Sequence, residues 1–384
     1  MKSGAEGSEL LSLIQSLYPN RDVIALHEPV FRGNEEKYLL DCLKTTLVST
    51  IGPYVSEFEK HIANFTGSKF AIATMNGTSA LHMALMLAGV ERDDEVLTQG
   101  LTFVATANAI SYCHAKPVFL DSDLSNLGLS LSALQIFLQE NTEVRDNGFC
   151  YNKMTNRRIK ACVPMHVFGH AVEIDAIAEI CAKNNIELVE DAAEALGSYY
   201  KGRHLGTFGK IGIFSFNGNK IVTTGGGGMI ITDDPALAKL AKHLTTTAKV
   251  PHSWNFSHDQ VGYNYRLPNI NAALGCAQME KLGEFIRNKQ ETAAVYREFC
   301  LKKGFNFIDE PVHCRSNFWL CSLRLPDKAS LEEFLEKANA QKIMARPLWN
   351  LMSELPAFKG CQNDGLKNAK YLRDRVVSLP SGVR

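Results

Sequence analysis

The stretch FSFNGNKIVTTGGGGMIIT, residues 214–232, places one lysine between two apolar runs and just before four glycines. A phosphate-binding P-loop would need its glycines before the lysine and a Ser or Thr directly after it. Here Ile221 follows Lys220, and the glycine run 225–228 lies downstream. The glycines lead into MIIT, a short apolar run that predicts a β-strand. The stretch therefore excludes a P-loop and leaves Lys220 as either a surface lysine or a reactive one.

Short apolar runs alternate with helical patterns from about residue 69 to residue 232. Strand–helix alternation over this length predicts an α/β domain with a mostly parallel, seven-stranded sheet that is buried on both faces. The runs are KFAIAT (69–74), EVLT (95–98), PVFL (117–120), KACVPM (160–165), IELVE (186–190), IGIF (211–214) and GMIIT (228–232).

Two segments depart from this alternation. Residues 141–159 are polar and typical of an excursion or a hairpin. After about residue 265, a long helical stretch (269–304) precedes the strand pattern FWLCSLRL and the helix pattern SLEEFLEKANAQ. We therefore predict an N-terminal arm (1–25), a large α/β domain (26–264) and a smaller C-terminal α+β domain (265–384).

Composition excludes several classes of protein. The 384 residues contain 41 Lys+Arg and 41 Asp+Glu, so the chain lacks the basic excess of a nucleic-acid binder. No signal-peptide pattern and no apolar window long enough for a membrane span is present. The ten cysteines stand singly, without metal-ligand spacing, which favours reduced thiols in a cytoplasmic protein and predicts no metal site.

Polar residues follow several of the predicted strands. Gly77, Thr78 and Ser79 come after FAIAT at the start of a predicted helix, where backbone amides and hydroxyls can bind an anion. Ordinary helix capping by Thr or Ser is the alternative. Asp191 follows IELVE, where it either meets a cation or caps the next helix.

Ser215 and Lys220 follow the run IGIF, so they join the polar residues that stand at the ends of predicted strands. Functional groups gather at the carboxyl ends of parallel strands. Pyridoxal phosphate needs a cradle for its phosphate, a carboxylate for its ring nitrogen and a lysine for the Schiff base. The spacing therefore favours pyridoxal phosphate as the cofactor, with Lys220 as the reactive amine.

Several longer motifs are those of a known family. GPYVSEFEKHIANFTGSKFAIATMNGTSALHMAL, TFVATANAISYCHAKPVFLDSD, VEDAAEALGSYYKG, GIFSFNGNKIVTTGGGGMI and VGYNYRLPNINAALG occur in this order. In these five motifs the chain resembles the DegT/DnrJ/EryC1/StrS family of pyridoxal-phosphate-dependent nucleotide-sugar aminotransferases. The resemblance implies the aspartate-aminotransferase-like fold, pyridoxal phosphate fold type I.

The resemblance also implies roles for individual residues. Lys220 matches the Schiff-base lysine, and Asp191 matches the partner of the pyridine nitrogen. Further positions match phosphate ligands (Thr78, Ser79 and Ser215), an aromatic ring stacked on the cofactor (Phe103), a residue reaching the phosphate from the neighbouring subunit (Asn264) and a neighbour that also faces the site (Arg266). A homodimer with shared active sites follows from the role of Asn264.

Glu194 departs from the commoner family pattern, in which His or Gln stands beside the cofactor. An ionised carboxylate would repel the cofactor phenolate, so we expect Glu194 to be protonated, paired with a cation or turned away. Lys220 is present, which sets aside relatives that carry histidine there and catalyse deoxygenation.

The substrate follows from further resemblances. IALHEPVFRGNEEKYLLDCL, RPLWNLMSELPAF and LPSGVR resemble enzymes that aminate C4 of UDP-linked 4-keto-6-deoxy-N-acetylhexosamines, with L-glutamate as donor, for glycan biosynthesis. Arg346 and Trp349 offer a cation and a flat face to such a nucleotide sugar. Plain core packing is the alternative for Trp349.

Three rival functions stay open from the sequence. A GDP-sugar 4-aminotransferase of the perosamine-synthase kind shares the chemistry. A cysteine desulfurase would need a nucleophilic cysteine on a Gly/Ser-flanked loop, and none of the ten cysteines fits. A non-enzymatic regulator that binds pyridoxal phosphate would need a basic DNA-binding module, for which the N-terminal arm is too short and too acidic.

Overall fold

A computed structural model of the chain describes residues 4–384, so the first three residues of the predicted arm lie outside the described part. Within it, eleven α-helices, α1 to α11 in chain order, span Gly4–Leu17, Glu35–Thr45, Pro53–Thr66, Gly77–Leu87, Val104–Tyr112, Leu131–Asn141, Ile174–Lys183, Pro235–Thr245, Asn269–Lys303, Lys328–Ala340 and Lys367–Arg373. Short 3-10 turns cover Val167–Gly169, Met352–Glu354 and Pro356–Phe358.

Sixteen strands occur in the same described range. In chain order, β1 to β16 span Phe70–Thr74, Glu95–Gln99, Lys116–Leu120, Thr142–Val144, Cys150–Asn152, Ile159–Val163, Glu187–Asp191, Tyr199–Tyr200, Arg203–His204, Ile211–Ser215, Gly228–Thr232, Asn306–Ile308, Cys314–Arg315, Cys321–Arg324, Arg346–Pro347 and Val376–Leu379.

The central sheet has seven strands in the order β1-β11-β10-β7-β6-β2-β3. Strand β11 runs antiparallel to its neighbours β1 and β10, and the pairings of the other strands are parallel. Each of the seven apolar runs of the sequence forms one of these strands. The predicted α/β fold with a mostly parallel sheet is confirmed.

Alternation of side chains along each strand builds a core on both faces of this sheet. Ile213 and Ile230 point into the cluster that α4, α5 and α8 cover, which also contains Leu81. Phe214 and Met229, their neighbours in sequence, belong to the larger cluster on the other face. The near-continuous apolar runs of the strands are therefore explained by burial on both sides.

The C-terminal region has its own antiparallel sheet, in the order β12-β14-β16-β15. The 35-residue helix α9 leads into it from the large sheet. A third apolar cluster joins α9 and α10 to the N-terminal helix α1, through residues that include Leu10, Ile14, Tyr296 and Phe334. The domain limits at residues 25 and 264 stay a prediction.

Other sequence predictions concern smaller features. Strands β4 and β5 pair as an antiparallel hairpin within the polar segment 141–159. All ten cysteines are free thiols, and eight of them are buried. Among the helices of residues 4–384, none combines the length and the apolarity that crossing a bilayer requires.

Candidate active site

A cavity of about 850 Å³ opens at the carboxyl ends of β1, β7 and β10. The sheet register explains why residues from three strands meet here, because Ile213 pairs with Asp191 and Gly228 pairs with both Ser215 and Thr74. Of the residues singled out in the sequence, the cavity is lined by Gly77, Thr78, Phe103, Asp191, Glu194, Ser215, Lys220, Arg346 and Trp349.

The N-terminus of α4 forms one end of the cavity. The Asn76 side chain caps this helix by accepting a hydrogen bond from the Ser79 amide at 2.7 Å. A Cβ atom on Gly77 would stand 2.8 Å from the Ser215 Cβ, so only glycine lets the helix approach β10 this closely. The first-turn amides of a helix have no intrahelical acceptor. This end of the cavity is therefore suited to an anion such as a phosphate group.

Asp191 lies at the end of β7 and is buried. Its carboxylate accepts hydrogen bonds from the Thr106 hydroxyl at 2.8 Å and from the Ala193 amide at 3.2 Å. Burial raises the pKa of the Asp191 carboxyl, and the two hydrogen bonds and the charge of Lys220 work against this rise. A buried carboxylate of this kind is suited to hold a cationic N–H group.

Lys220 follows β10 and reaches the cavity with a side chain that is only 13% exposed. Its Nζ atom lies 3.0 Å from Oε1 of Glu194 and 3.8 Å from the ring centroid of Trp319. Burial raises the pKa of the Glu194 carboxyl, which the ammonium of Lys220 opposes. Of the three states that the sequence allowed for Glu194, the structure has the one paired with a cation.

The turn Val167–Gly169 fixes the other oxygen of Glu194. The Phe168 amide donates to Glu194 Oε2 at 2.9 Å, and Phe168 adopts a left-handed backbone with φ of 57°. A non-glycine residue in this region costs on the order of 1 kcal/mol. The next residue, Gly169, has φ of 92° and no room for a Cβ atom beside the Asn317 side chain.

Aromatic rings form a continuous wall along the cavity. The Phe103 and Trp349 rings are 6.4 Å apart, Trp349 and Phe168 are 5.7 Å apart, and Phe168 and Trp319 are 6.0 Å apart. Phe103, directly before α5, is 49% exposed and lines the cavity, where a ligand can contact it. Arg346 on β15 adds an exposed cation to the same cavity.

Three of the predicted site residues are not among those that line the cavity. Ser79 is buried in the first turn of α4. Asn264 and Arg266 lie on the segment after α8, where the Arg266 guanidinium donates to the Asn264 side chain at 3.3 Å. The predicted contact of Asn264 with a partner's cofactor concerns a second subunit, so it stays a prediction.

Thr106, Phe168 and Trp319 contact the site although no sequence motif predicted them. Trp319 lies in the run FWLCSLRL, which indicated a strand, and it is 99 positions from the lysine that it contacts. Thr106 stands in a quoted motif, but only the fold brings its hydroxyl to Asp191. No local pattern marks such contacts, because they join elements that are far apart in sequence.

The donor set fits pyridoxal phosphate. The cavity offers three groups: the N-terminus of α4, where Gly77 packs closely against Ser215, the buried carboxylate of Asp191 and the amine of Lys220. These are the partners of a phosphate group, a protonated ring nitrogen and an aldehyde carbon, respectively. Residues 4–384 contain no group of three or more His, Cys, Asp and Glu side chains that could hold a metal ion.

Comparisons with known proteins also indicate pyridoxal phosphate as the cofactor. The sequence profile of the DegT/DnrJ/EryC1/StrS aminotransferase family matches residues 30–384. The chain is 36% identical to EpsN of Bacillus subtilis (strain 168), whose name describes a pyridoxal phosphate-dependent aminotransferase, over 94% of this chain and 91% of EpsN.

Two further relatives span nearly the whole chain. The GDP-perosamine synthase of Caulobacter vibrioides is 34% identical, over 93% of each chain. The crystal structure of the aminotransferase TlmJ from Streptoalloteichus hindustanus superposes with a TM-score of 0.83 at 26% identity, over 93% of each chain.

Proposed function

Because the chain belongs to the DegT/DnrJ/EryC1/StrS aminotransferase family, we propose that it moves the amino group of L-glutamate to C4 of a nucleotide-linked 4-keto-6-deoxy sugar. It is a pyridoxal-phosphate-dependent nucleotide-sugar aminotransferase. The observation that carries the proposal is the convergence of Lys220, Asp191 and the α4 N-terminus on one cavity. Glutamate leaves as 2-oxoglutarate, and the keto sugar becomes the amino sugar.

Five residues of the cavity have roles in this proposed reaction. When bound, pyridoxal phosphate carries the amino group between the two substrates and accepts the electron pair of the substrate carbon. Gly77, Thr78 and Ser215 bind the phosphate group. Asp191 keeps a proton on the ring nitrogen, and its burial excludes competing water. Lys220 takes and returns the substrate proton at Nζ as a general base and acid.

The size and lining of the cavity suit a nucleotide sugar. Small-molecule sites typically measure about 300–1,000 Å³, and this cavity of about 850 Å³ has room beyond the cofactor groups. The ring of Trp349 offers a flat face to a base or sugar, and Arg346 offers a cation to a diphosphate. We propose these two residues as substrate contacts.

The nucleotide is the part of the substrate on which the sequence motifs and the relatives diverge. Motifs near the two ends of the chain resemble enzymes for UDP-linked N-acetylated sugars. The GDP-perosamine synthase of Caulobacter vibrioides, 34% identical over 93% of this chain, favours a GDP-linked sugar instead. We place the GDP-linked substrate first and the UDP-linked substrate second.

A spectral titration decides between them. The purified protein, loaded with pyridoxal phosphate, is titrated with a GDP-linked and a UDP-linked 4-amino-6-deoxy sugar while the visible absorbance of the cofactor is followed. We expect the GDP-linked sugar to bleach the visible band, because it runs the second half of the reaction backwards. Bleaching by the UDP-linked sugar alone would move the second substrate to first place, and a protein that never takes up the cofactor would contradict the proposal.

We further propose a homodimer with active sites shared between subunits. Exposed apolar side chains along and after α2 support it, since Leu43 is 57% exposed and Ile51 is 77% exposed. Asn264, outside the cavity of its own chain, is free to face a partner's cavity.

Mixing two inactive variants tests the sharing of sites. Lys220→Ala and Asn264→Ala dimers, unfolded and refolded together, would form hybrids with one intact site. With random pairing, about half of the dimers are hybrids, and one of the two sites in each hybrid is intact. We therefore expect the mixture to regain up to about a quarter of wild-type activity. A mixture as inactive as the two separate variants would contradict shared sites.

A further inference from the structure

Two groups that line the cavity contact Nζ of Lys220. Oε1 of Glu194 is 3.0 Å away, and the ring centroid of Trp319 is 3.8 Å away. The Glu194 side chain is 2% exposed and Trp319 is 5% exposed, so water screens neither contact. A carboxylate and an aromatic face both favour an ammonium over a neutral amine.

Both groups are held rigidly. Trp319 donates its backbone amide to Asn317 Oδ1 at 2.8 Å and its indole N–H to the Asn219 carbonyl at 2.7 Å. Its carbonyl accepts from Lys289 Nζ at 3.0 Å. Three hydrogen bonds therefore fix the position of the indole ring relative to the loop that carries Lys220.

One buried side chain joins the tryptophan to the carboxylate. Asn317 accepts from the Trp319 amide and donates to the backbone carbonyl of Glu194 at 2.9 Å. The Glu194 carboxylate is fixed in addition by the Phe168 amide. The pair is thus a built feature of the cavity, and its two members keep a constant spacing around Lys220.

We propose that Glu194 and Trp319 form a resting site for Lys220 when this lysine is not bonded to the cofactor, which directs it into the cavity and stabilises its ammonium once it has taken the substrate proton. The inference rests on the proposed function, in which Lys220 is released between the two half-reactions and carries a proton. Glu194 and Trp319 hold that proton on Nζ until Lys220 returns it. Trp319 touches the reacting nitrogen and belongs to the reaction machinery.

Other charged groups around Lys220 pull in different directions. Asp191, at the end of β7, also favours its charge. His27, before α2, has ring nitrogens without a hydrogen-bond partner, and burial keeps its pKa well below the usual value, so it adds no charge at neutral pH. Arg346 lines the same cavity and opposes the charge of Lys220. Glu194 and Trp319 contact Nζ directly, at 3.0 Å and 3.8 Å.

The test measures the protonation of Lys220 directly in the cofactor-free protein. The protein is pulse-labelled with acetic anhydride across a pH series, and the acetylation of the Lys220 peptide is measured by mass spectrometry. Only the neutral amine reacts, so the midpoint of the pH profile is the pH at which half of the Lys220 side chains have lost their proton. We expect Glu194→Gln to lower this midpoint by about one to three pH units.

Substitutions of the tryptophan separate its aromatic face from its other roles. Trp319→Leu and Trp319→Phe both lose the indole hydrogen bond to Asn219, but only Trp319→Phe keeps an aromatic ring. We expect Trp319→Leu to lower the midpoint by about one unit and Trp319→Phe to stay near wild type. Glu179→Gln, which neutralises a carboxylate paired with the exposed Lys183, is the control and should leave the midpoint unchanged.

The outcomes separate this inference from the proposed function. Unchanged midpoints in Glu194→Gln and Trp319→Leu would overturn the resting site, even in a protein that takes up pyridoxal phosphate. Lowered midpoints in both variants support the resting site. If the protein at the same time takes up no pyridoxal phosphate, that failure contradicts the proposed function and leaves the resting site standing. If Trp319→Leu does not fold, Glu194→Gln, which preserves the shape of the side chain, still decides the result.

Discussion

At the scale of single residues, Asp191 links cofactor binding to stability. Its pKa is raised by burial, so the folded protein holds the carboxyl proton more tightly than the unfolded chain does. Ionised Asp191 therefore costs stability in full above the folded pKa. This cost decreases as the pH falls through the folded pKa and vanishes below the pKa of the unfolded chain. A cation bound at Asp191 would offset the same cost.

We expect Asp191→Asn to stabilise the cofactor-free protein at pH 8, with a rise in Tm on the order of 2 °C. The rise should vanish in acid, where the wild-type carboxyl is protonated. The same variant should bind pyridoxal phosphate about tenfold to hundredfold more weakly, because it loses a charge-assisted hydrogen bond. Calorimetry at several pH values and a cofactor titration measure both effects.

Asp175 gives a control of opposite sign. Partial burial works to raise its pKa, but the hydrogen bond and charge of Lys201 prevail and lower it. Asp175→Asn should therefore not stabilise the protein at pH 8. A destabilised Asp191→Asn variant at this pH would contradict the account of Asp191.

At the scale of elements, the approach of α4 to β10 builds the anion-binding end of the cavity. A Cβ atom at residue 77 would stand 2.8 Å from the Ser215 Cβ. We expect Gly77→Ala to push the helix away and to weaken binding of pyridoxal phosphate about tenfold or more, since overpacking of this kind typically costs about 1–3 kcal/mol. Absorbance titration of the cofactor measures the loss.

Gly218→Ala is the matched control, because residue 218 lies in the loop after β10 and nothing stands within 4 Å of a Cβ atom there. It should bind the cofactor as tightly as wild type does. Equal affinities of the two alanine variants would show that the close contact between α4 and β10 is not needed.

Some elements of the fold were predictable from the sequence, and some contacts between elements were not. The seven strands of the large sheet were predictable because each is a short apolar run with turn residues after it, and Asp191 and Ser215 were found because they stand at strand ends. The contact of Trp319 with Lys220 was not predictable. It depends on the packing of the C-terminal region against the large sheet, which leaves no local pattern.

At the scale of the whole molecule, Lys289 ties the long helix α9 to two distant segments. Its buried amino group donates to the carbonyl oxygens of Trp319 and Ser381. Burial lowers the pKa of Lys289 to about 7, against 10.5 for the free side chain. Between these values the unfolded chain binds one more proton than the folded protein, so stability due to this group rises with pH.

We therefore expect the stability difference between Lys289→Met and wild type to shift in favour of wild type as the pH rises from 7 to 10. The slope should approach about 1.4 kcal/mol per pH unit in the free energy of unfolding. Urea denaturation at several pH values measures it. Lys302→Met, which removes an exposed lysine of the same helix, should show no such slope, and a flat difference for Lys289→Met would contradict the buried, uncharged lysine.

The proposed function requires Lys220 to be the amine that bonds pyridoxal phosphate. Its most direct test is to load the protein with the cofactor, reduce it with borohydride, digest it and locate the added mass by mass spectrometry. We predict a pyridoxyl group on the peptide that contains Lys220, and none in the Lys220→Ala variant. A modification on another lysine, or none in a protein that has taken up the cofactor, would contradict the account.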